Sequence, residues 1–212
     1  MSIKIKDNLK NMIVDYIFEA ILNNEFKSKD QIKETHLANK LEVSRAPIRE
    51  AFAQLVTLGI LEQIEKRGVF VKEINKQDII DTYEAKGIIE GFLATSFIKK
   101  ASKKDYDLLN SYVIKMSKNT NSEKEIASIG TLFHKHYLKY ANNQLLLNEL
   151  EKLNKKSQLL FSKNLSKLYS REEVKQRHQL IADALISKNT QNIENTIKEH
   201  YFHTGNKIIL LR

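Results

Sequence analysis

Six glycines and one proline in 212 residues set the strongest constraint on this chain. Each reversal in a β-sandwich or barrel needs turn residues, and Gly and Pro provide the backbone angles of tight turns. So few of them exclude an all-β fold and leave long helices as the default. Hydrophobic residues make up 42% of the chain, enough for a packed core, and the length suits one large or two small domains. The chain has no cysteine, which excludes disulfides and thiolate metal sites. The first ten residues, MSIKIKDNLK, lack the apolar core of a signal peptide. No run approaches the ~18 apolar residues of a membrane span. A cytoplasmic protein with no membrane partner is expected.

The net charge of +9 invites a nucleic-acid partner, but its distribution does not support that inference. Residues 1–73 hold 12 Lys+Arg and 11 Asp+Glu, a net of +1, and residues 74–212 hold a net of +8. Any case for DNA must rest on where individual cations stand.

Apolar residues at Leu9, Met12, Ile13, Tyr16, Ile17, Ala20 and Ile21 follow the 3-and-4 spacing of an amphipathic helix, predicted over 8–26. A second, short helix is predicted over 34–41, with Leu37, Ala38 and Leu41 inward. Ser44 then has the character of an N-cap whose side-chain oxygen accepts from a first-turn N–H. Pro47, the only proline, falls in that first turn, where backbone N–H groups have no intrahelical partner. Ile48, Ala51, Phe52 and Leu55 form the buried face of this third helix, which ends near Gly59. Ile60, Leu61 and Ile64, a turn at Glu65–Gly68, and Val69, Phe70 and Val71 read as a β-hairpin with Gly68 as its turn residue. This order of elements is that of a winged helix-turn-helix. The polar stretch KEINKQD at 72–78 marks a boundary, and helical periodicity continues to residue 211 in six segments: 78–100, 103–120, 123–141, 143–169, 171–188 and 190–211. The expected fold is mainly α: a winged helix-turn-helix over 1–73, then an all-α bundle of six to seven helices over 78–212.

In a helix-turn-helix, the N-terminal residues of the second helix reach base edges in the major groove. Arg45 stands in that first turn and Arg49 one turn later on the same face. An arginine pairs two donors with O6 and N7 of guanine, worth ~1–3 kcal/mol of discrimination. Lys66 and Arg67 at the hairpin tip are placed to touch backbone or minor groove. Taken alone, two arginines four apart describe a solvated helix face. The cap, the proline, the buried face and the basic hairpin together point to DNA.

The stretch LEVSRAPIREAFAQLVTLGILEQIEKRGVFV resembles the DNA-binding domain of GntR-family bacterial transcriptional regulators, over about residues 9–73. The resemblance implies base contacts from Arg45 and Arg49, backbone contacts around Ser44, Ala46 and Pro47, and a wing at Arg67 and Gly68 near the minor groove. Two departures stand out. FKSKDQI replaces the family's Pro-Gly pair before the second helix, and Thr35 stands where an arginine is frequent.

The remainder resembles the FCD effector domain of the FadR subfamily, over about 78–205. TYEAKGIIEGFLA, LFHKHYLKYANNQLLLNEL, RHQLIADALISKN and IKEHYFH occur in the family's order. That resemblance implies a divalent metal held by one Asp and three His, which map to His134, His178 and His200. Three imidazoles suit Zn, Ni or Mn-type cations. The Asp position is Gly130, so one ligand and one negative charge are missing, a gap for water or an effector carboxylate. The family's first-helix arginine, which pairs with an effector carboxylate, falls at Lys86. Glu90, one turn on, is in place to pair with Lys86. His36, His136 and His203 read as surface or packing residues.

The function expected from these features is a homodimeric regulator, in most family members a repressor. It binds a short inverted-repeat operator and responds to a small organic acid. Two other readings stay open. One is a constitutive DNA-binding regulator whose effector and metal site has decayed. The other is a metal-dependent enzyme built on the three histidines, against which stands the lack of HExxH or any other catalytic motif.

Overall fold

A computed structural model describes residues 2–118, 122–161 and 165–211. The scarcity of Gly and Pro becomes helix along most of the described chain, with one small sheet. Contacts divide the molecule into two units, residues 1–75 and 76–212.

The first unit opens with α1 (Ser2–Leu22), which begins six residues before the predicted 8–26 and ends four residues sooner. It buries Ile13, Val14, Ile17, Phe18 and Ile21. Next come β1 (Gln31–Ile32), α2 (Glu34–Lys40) and α3 (Arg45–Thr57). Ile48, Ala51, Phe52 and Leu55 of α3 are all buried, as their spacing predicts. A Schellman closure ends the helix: Gly59 N–H donates to Val56 O (2.9 Å) and Ile60 N–H to Leu55 O (3.0 Å). Gly59 there takes φ +67°, which costs a glycine little. Strands β2 (Leu61–Ile64) and β3 (Gly68–Val71) pair antiparallel from Leu61↔Val71 to Ile64↔Gly68. Strand β1 adds to the other edge of β3, giving the order β1-β3-β2. Strand β1 is not among the elements expected from the sequence.

The second unit contains α4 (Lys76–Ile98), α5 (Lys103–Met116), α6 (Glu123–Leu138), α7 (Gln144–Phe161), α8 (Leu165–Leu168), α9 (Arg171–Ser187) and α10 (Thr190–Leu210). The predicted segment 143–169 therefore carries two helices, and residues 119–120 and 162–164 of the expected segments lie outside the described residues. Local sequence fixes several starts. Ser122 and Ser170 each accept from the N–H three residues on (Glu125, Glu173; both 3.2 Å), while those glutamates reach back to the cap N–H, a reciprocal box that satisfies two orphan donors.

The centre of this unit is the crossing of α4 and α10. Glycine makes the close approach possible. A Cβ on Gly87 would stand 3.1 Å from Lys198 Cα, and one on Gly91 would stand 3.1 Å from Glu194 O. Around this seam Phe97, Phe133 and Tyr137 are fully buried.

Candidate functional site

In the first unit, Arg45, Ala46 and Arg49 are exposed at the start of α3, with Pro47 half-buried beneath them and Thr35 exposed on α2. Ser44 takes the extended backbone of an N-cap (φ −70°, ψ 163°), but its side chain makes no capping bond, contrary to expectation. The reason is in the sequence. A serine cap accepts from the second or third helical N–H, and the third helical residue here is Pro47, which has none. Arg49 Nε donates to Glu34 Oε2 at 2.8 Å, an exposed ion pair of little net worth that leaves the guanidinium free to exchange partners. At the hairpin tip Lys66 adopts a left-handed φ of 60°. Arg67 lies 5.5 Å from the Phe70 ring, and its carbonyl accepts from Gln31 Nε2 at 2.5 Å. Gly68 has φ +107°, and a Cβ there would press on Gln31 Nε2 at 3.0 Å; only glycine suits both demands.

In the second unit, three helices bring His134 (α6), His178 (α9) and His200 (α10) together. One ring nitrogen from each lies within 4.8 Å of the others, and the ring centroids are 5.1–5.4 Å apart. Among the described residues this is the one such His, Asp or Glu cluster. His178 Nδ1–H donates to Val174 O at 2.7 Å, which leaves Nε2 as its acceptor. Burial, and then the neighbouring His134, pushes the His178 pKa down to about 3. Burial and His178 push His200 well below the ordinary histidine value. Both are therefore neutral bases near pH 7, the form that binds cations. His200 Nδ1 is buried with no hydrogen-bond partner, an orphaned atom of the kind a cation satisfies. The donor set thus fits a divalent metal of the Zn or Ni type, which imidazole favours.

Gly130 stands one turn before His134, and a Cβ there would lie 3.6 Å from His178 Nε2. The position addresses the triad but offers no oxygen. Glu90, on α4, is 1% exposed. Its partner is not Lys86, as the spacing suggested. Glu90 Oε1 accepts from His134 Nδ1 at 2.6 Å and from Tyr137 Oη, and Tyr201 Oη lies 2.9 Å from both carboxylate oxygens. Burial alone would raise the Glu90 pKa, but His134 outweighs it, with help from Lys86 and Tyr137, and the net shift is downward.

Lys86 donates instead to Ser157 Oγ at 2.9 Å and lies 4.6 Å from the centre of the Tyr201 ring. Burial lowers its pKa to about 8, against the pull of Glu90. Ser157, Tyr137 and Tyr201 are site residues that sequence reasoning missed. For the two tyrosines the available signal was spacing from the triad, three residues after His134 and one after His200; Ser157 has no such signal. His136 is a packing residue, 5.9 Å from Phe97, whereas His203 is exposed and stacks on Tyr169. A cleft of about 350 Å³ is bordered by Arg177 and Leu180 of α9 and by Glu199, His200 and His203 of α10. Arg177 also donates to His200 O at 2.5 Å, bracing the backbone of that histidine.

Residues 9–71 match the model of the bacterial regulatory proteins of the gntR family, and residues 81–203 match that of the FCD domain. An uncharacterised HTH-type transcriptional regulator of Bacillus subtilis, YdhC, is 25% identical over 87% of this chain and 84% of its own length. A probable D-xylose utilisation operon transcriptional repressor of Paenarthrobacter nicotinovorans is 21% identical over 92% of this chain and 86% of its own. Among solved structures, a GntR regulator of Rhodococcus sp. RHA1 matches with a TM-score of 0.73 at 18% identity, over 96% of this chain and 98% of that one. McbR/YncC of Escherichia coli gives 0.68 at 16%, over 91% and 93%. At these identities the structural matches speak for the fold alone. None of the helices is long and apolar enough to cross a membrane among the described residues.

Proposed function

Because the chain belongs to the gntR family of bacterial transcriptional regulators and carries an FCD domain, we propose that it is a homodimeric, sequence-specific repressor released from its operator by a small carboxylate. A family of transcriptional regulators, not of enzymes, is the frame for every residue role that follows. The observation that carries the DNA-binding role is the exposed pair Arg45 and Arg49 on the opening turns of α3, within the matched residues 9–71. Each arginine pairs with a guanine. Ser44, Ala46 and Pro47 approach phosphate at the helix N-terminus, and Lys66, Arg67 and Gly68 approach the neighbouring backbone. Thr35 forgoes the bidentate contact of the family's arginine, so the base it faces is read less strictly. Dimerisation is supported by Ile88 and Phe92, 58% and 54% exposed one turn apart on α4. Two recognition helices about one DNA turn apart require an inverted repeat.

His134, His178 and His200 hold a divalent cation in this reading. When bound, the cation supplies a Lewis-acidic attachment point for a carboxylate. Gly130 keeps the side of the triad next to His178 free of side-chain oxygen, and Lys86 supplies positive charge near Tyr201. The cleft beside His200 gives a small acid its approach. A ligand that releases DNA must bind the DNA-incompetent state more tightly than the competent one.

The test is a gel shift on the DNA upstream of the protein's own gene. Loss of one bidentate guanine pair costs ~1–3 kcal/mol, roughly 5- to 150-fold in affinity. Arg45→Ala and Arg49→Ala should each lose that much and relax preference at one base. Unchanged affinity and preference would reject the recognition-helix assignment. The rival reading, a regulator without effector response, draws on the missing carboxylate at Gly130. It predicts that Zn²⁺ and small carboxylates leave operator affinity unchanged.

A further inference from the structure

Glu90 lies within the residues that match the FCD domain and is buried there. A carboxylate 1% exposed has been taken out of water at a cost of several kcal/mol, and the nearby cation Lys86 is directed to Ser157 instead. What converges on Glu90 is His134 and two tyrosines. A carboxylate only accepts, so His134 must donate from Nδ1. That leaves Nε2 as the lone-pair nitrogen. Carboxylate–histidine–metal triads are built this way: the outer carboxylate fixes tautomer and ring orientation and raises the basicity of the ligand. Tyr137 and Tyr201 in turn hold the carboxylate from α6 and α10, so it has little freedom to turn elsewhere.

We propose that Glu90 is the positioning residue of the histidine triad: it locks His134 with Nε2 free for a cation, and it restores, one residue removed from that cation, the negative charge that Gly130 leaves out. In this chain the anionic element beside the triad is the buried Glu90 of α4, and the α6 position one turn before His134 is Gly130. A direct position near the triad is thereby open to a ligand oxygen without making the site purely cationic. The inference rests on the reading of the triad as a metal site.

The experiment uses the full-length protein and Zn²⁺ alone, titrated in competition with a chromophoric chelator. Glu90→Gln keeps the volume and removes the charge, and its Zn²⁺ affinity should fall about 10- to 100-fold. Gly130→Asp should strengthen binding, and its gain should be larger in the Glu90→Gln background than in the wild type, because there it replaces a missing charge; a merely structural Glu90 predicts the same gain in both. In parallel, ¹⁵N spectra of histidine-labelled, metal-free wild type should show His134 protonated at Nδ1, a measurement that needs no variant to fold. His134 protonated at Nε2, or Glu90→Gln binding Zn²⁺ within threefold of wild type, would overturn the assignment while leaving the metal site standing. Wild type that takes up neither Zn²⁺ nor Ni²⁺ would overturn the metal reading itself, and this inference with it.

Discussion

Replacing glycine by alanine inside a helix ordinarily stabilises it, by about 1 kcal/mol. In the helical unit the sign should depend on which glycine is changed. At Gly130 the new methyl would meet nothing nearer than His178 Nε2 at 3.6 Å, an ordinary contact, so Gly130→Ala should gain about 0.5–1 kcal/mol. At Gly87 the methyl meets Lys198 Cα at 3.1 Å and Lys198 O at 3.3 Å, and at Gly91 it meets Glu194 O at 3.1 Å. These neighbours are the backbone of α10 and cannot rotate away. Overpacking of this kind costs ~1–3 kcal/mol per site, against the ~1 kcal/mol gained in propensity. A small pivot of α10 can relieve one site, but not two a turn apart on the same seam. The double variant Gly87→Ala/Gly91→Ala should therefore lose about 2 kcal/mol, a drop of roughly 6 °C in the melting of the helical unit. Differential scanning calorimetry of the metal-free protein resolves this, with Gly130→Ala as the control of opposite sign. If the double variant melts at or above the wild-type temperature, the close approach of α4 and α10 is wrong.

Three further outcomes are expected. Lys86 carries a depressed pKa, about 8 against 10.5, so between those values the unfolded chain binds the extra proton and native stability rises with pH. Lys86→Met should be more stable than wild type at pH 7, by up to ~3 kcal/mol, and urea titrations should show that advantage shrinking as pH rises from 8 to 10.5; a pH-independent difference refutes the buried cation. Chelation should lower the melting temperature of metal-loaded protein, and Zn²⁺ at a hundred times its Kd should raise stability by about 2.7 kcal/mol; equal melting with and without metal contradicts the site. Lys66→Ala should weaken operator and non-operator DNA alike and reduce the salt dependence of binding by about one counterion, whereas a loss confined to the operator would make Lys66 a base reader.

Much of this was legible in the sequence because it is local. The buried positions of α3 follow from a 3-and-4 spacing, and Ser170 and Asn189 cap helices where the sequence places joints. What was not legible depends on distance along the chain. Strand β1 is two residues long, too short for any alternation, and exists because β3 offers it an edge. The capping failure of Ser44 needed only the observation that Pro47 occupies the third helical position. Glu90 is the clearest case. Spacing along α4 pairs it with Lys86, yet its partners lie 44 residues away at His134 and 111 away at Tyr201. The three histidines are likewise spread over three helices. Their grouping was expected from the family resemblance alone, since no periodicity relates them.

The seam between α4 and α10 also sets an order of events during synthesis. Glu90 emerges 111 residues ahead of Tyr201, about 6–22 s at 5–20 residues per second. Throughout that interval α4 lacks the helix its glycines are shaped to receive, while residues 1–75 already hold every element of the winged helix. The unit that matches the gntR family is thus complete before the unit that matches the FCD domain. A chain stopped short of α10 would hold the gntR-matched unit whole while Gly87 and Gly91 of α4 faced no partner helix, which makes α10 the element that closes the FCD-matched unit.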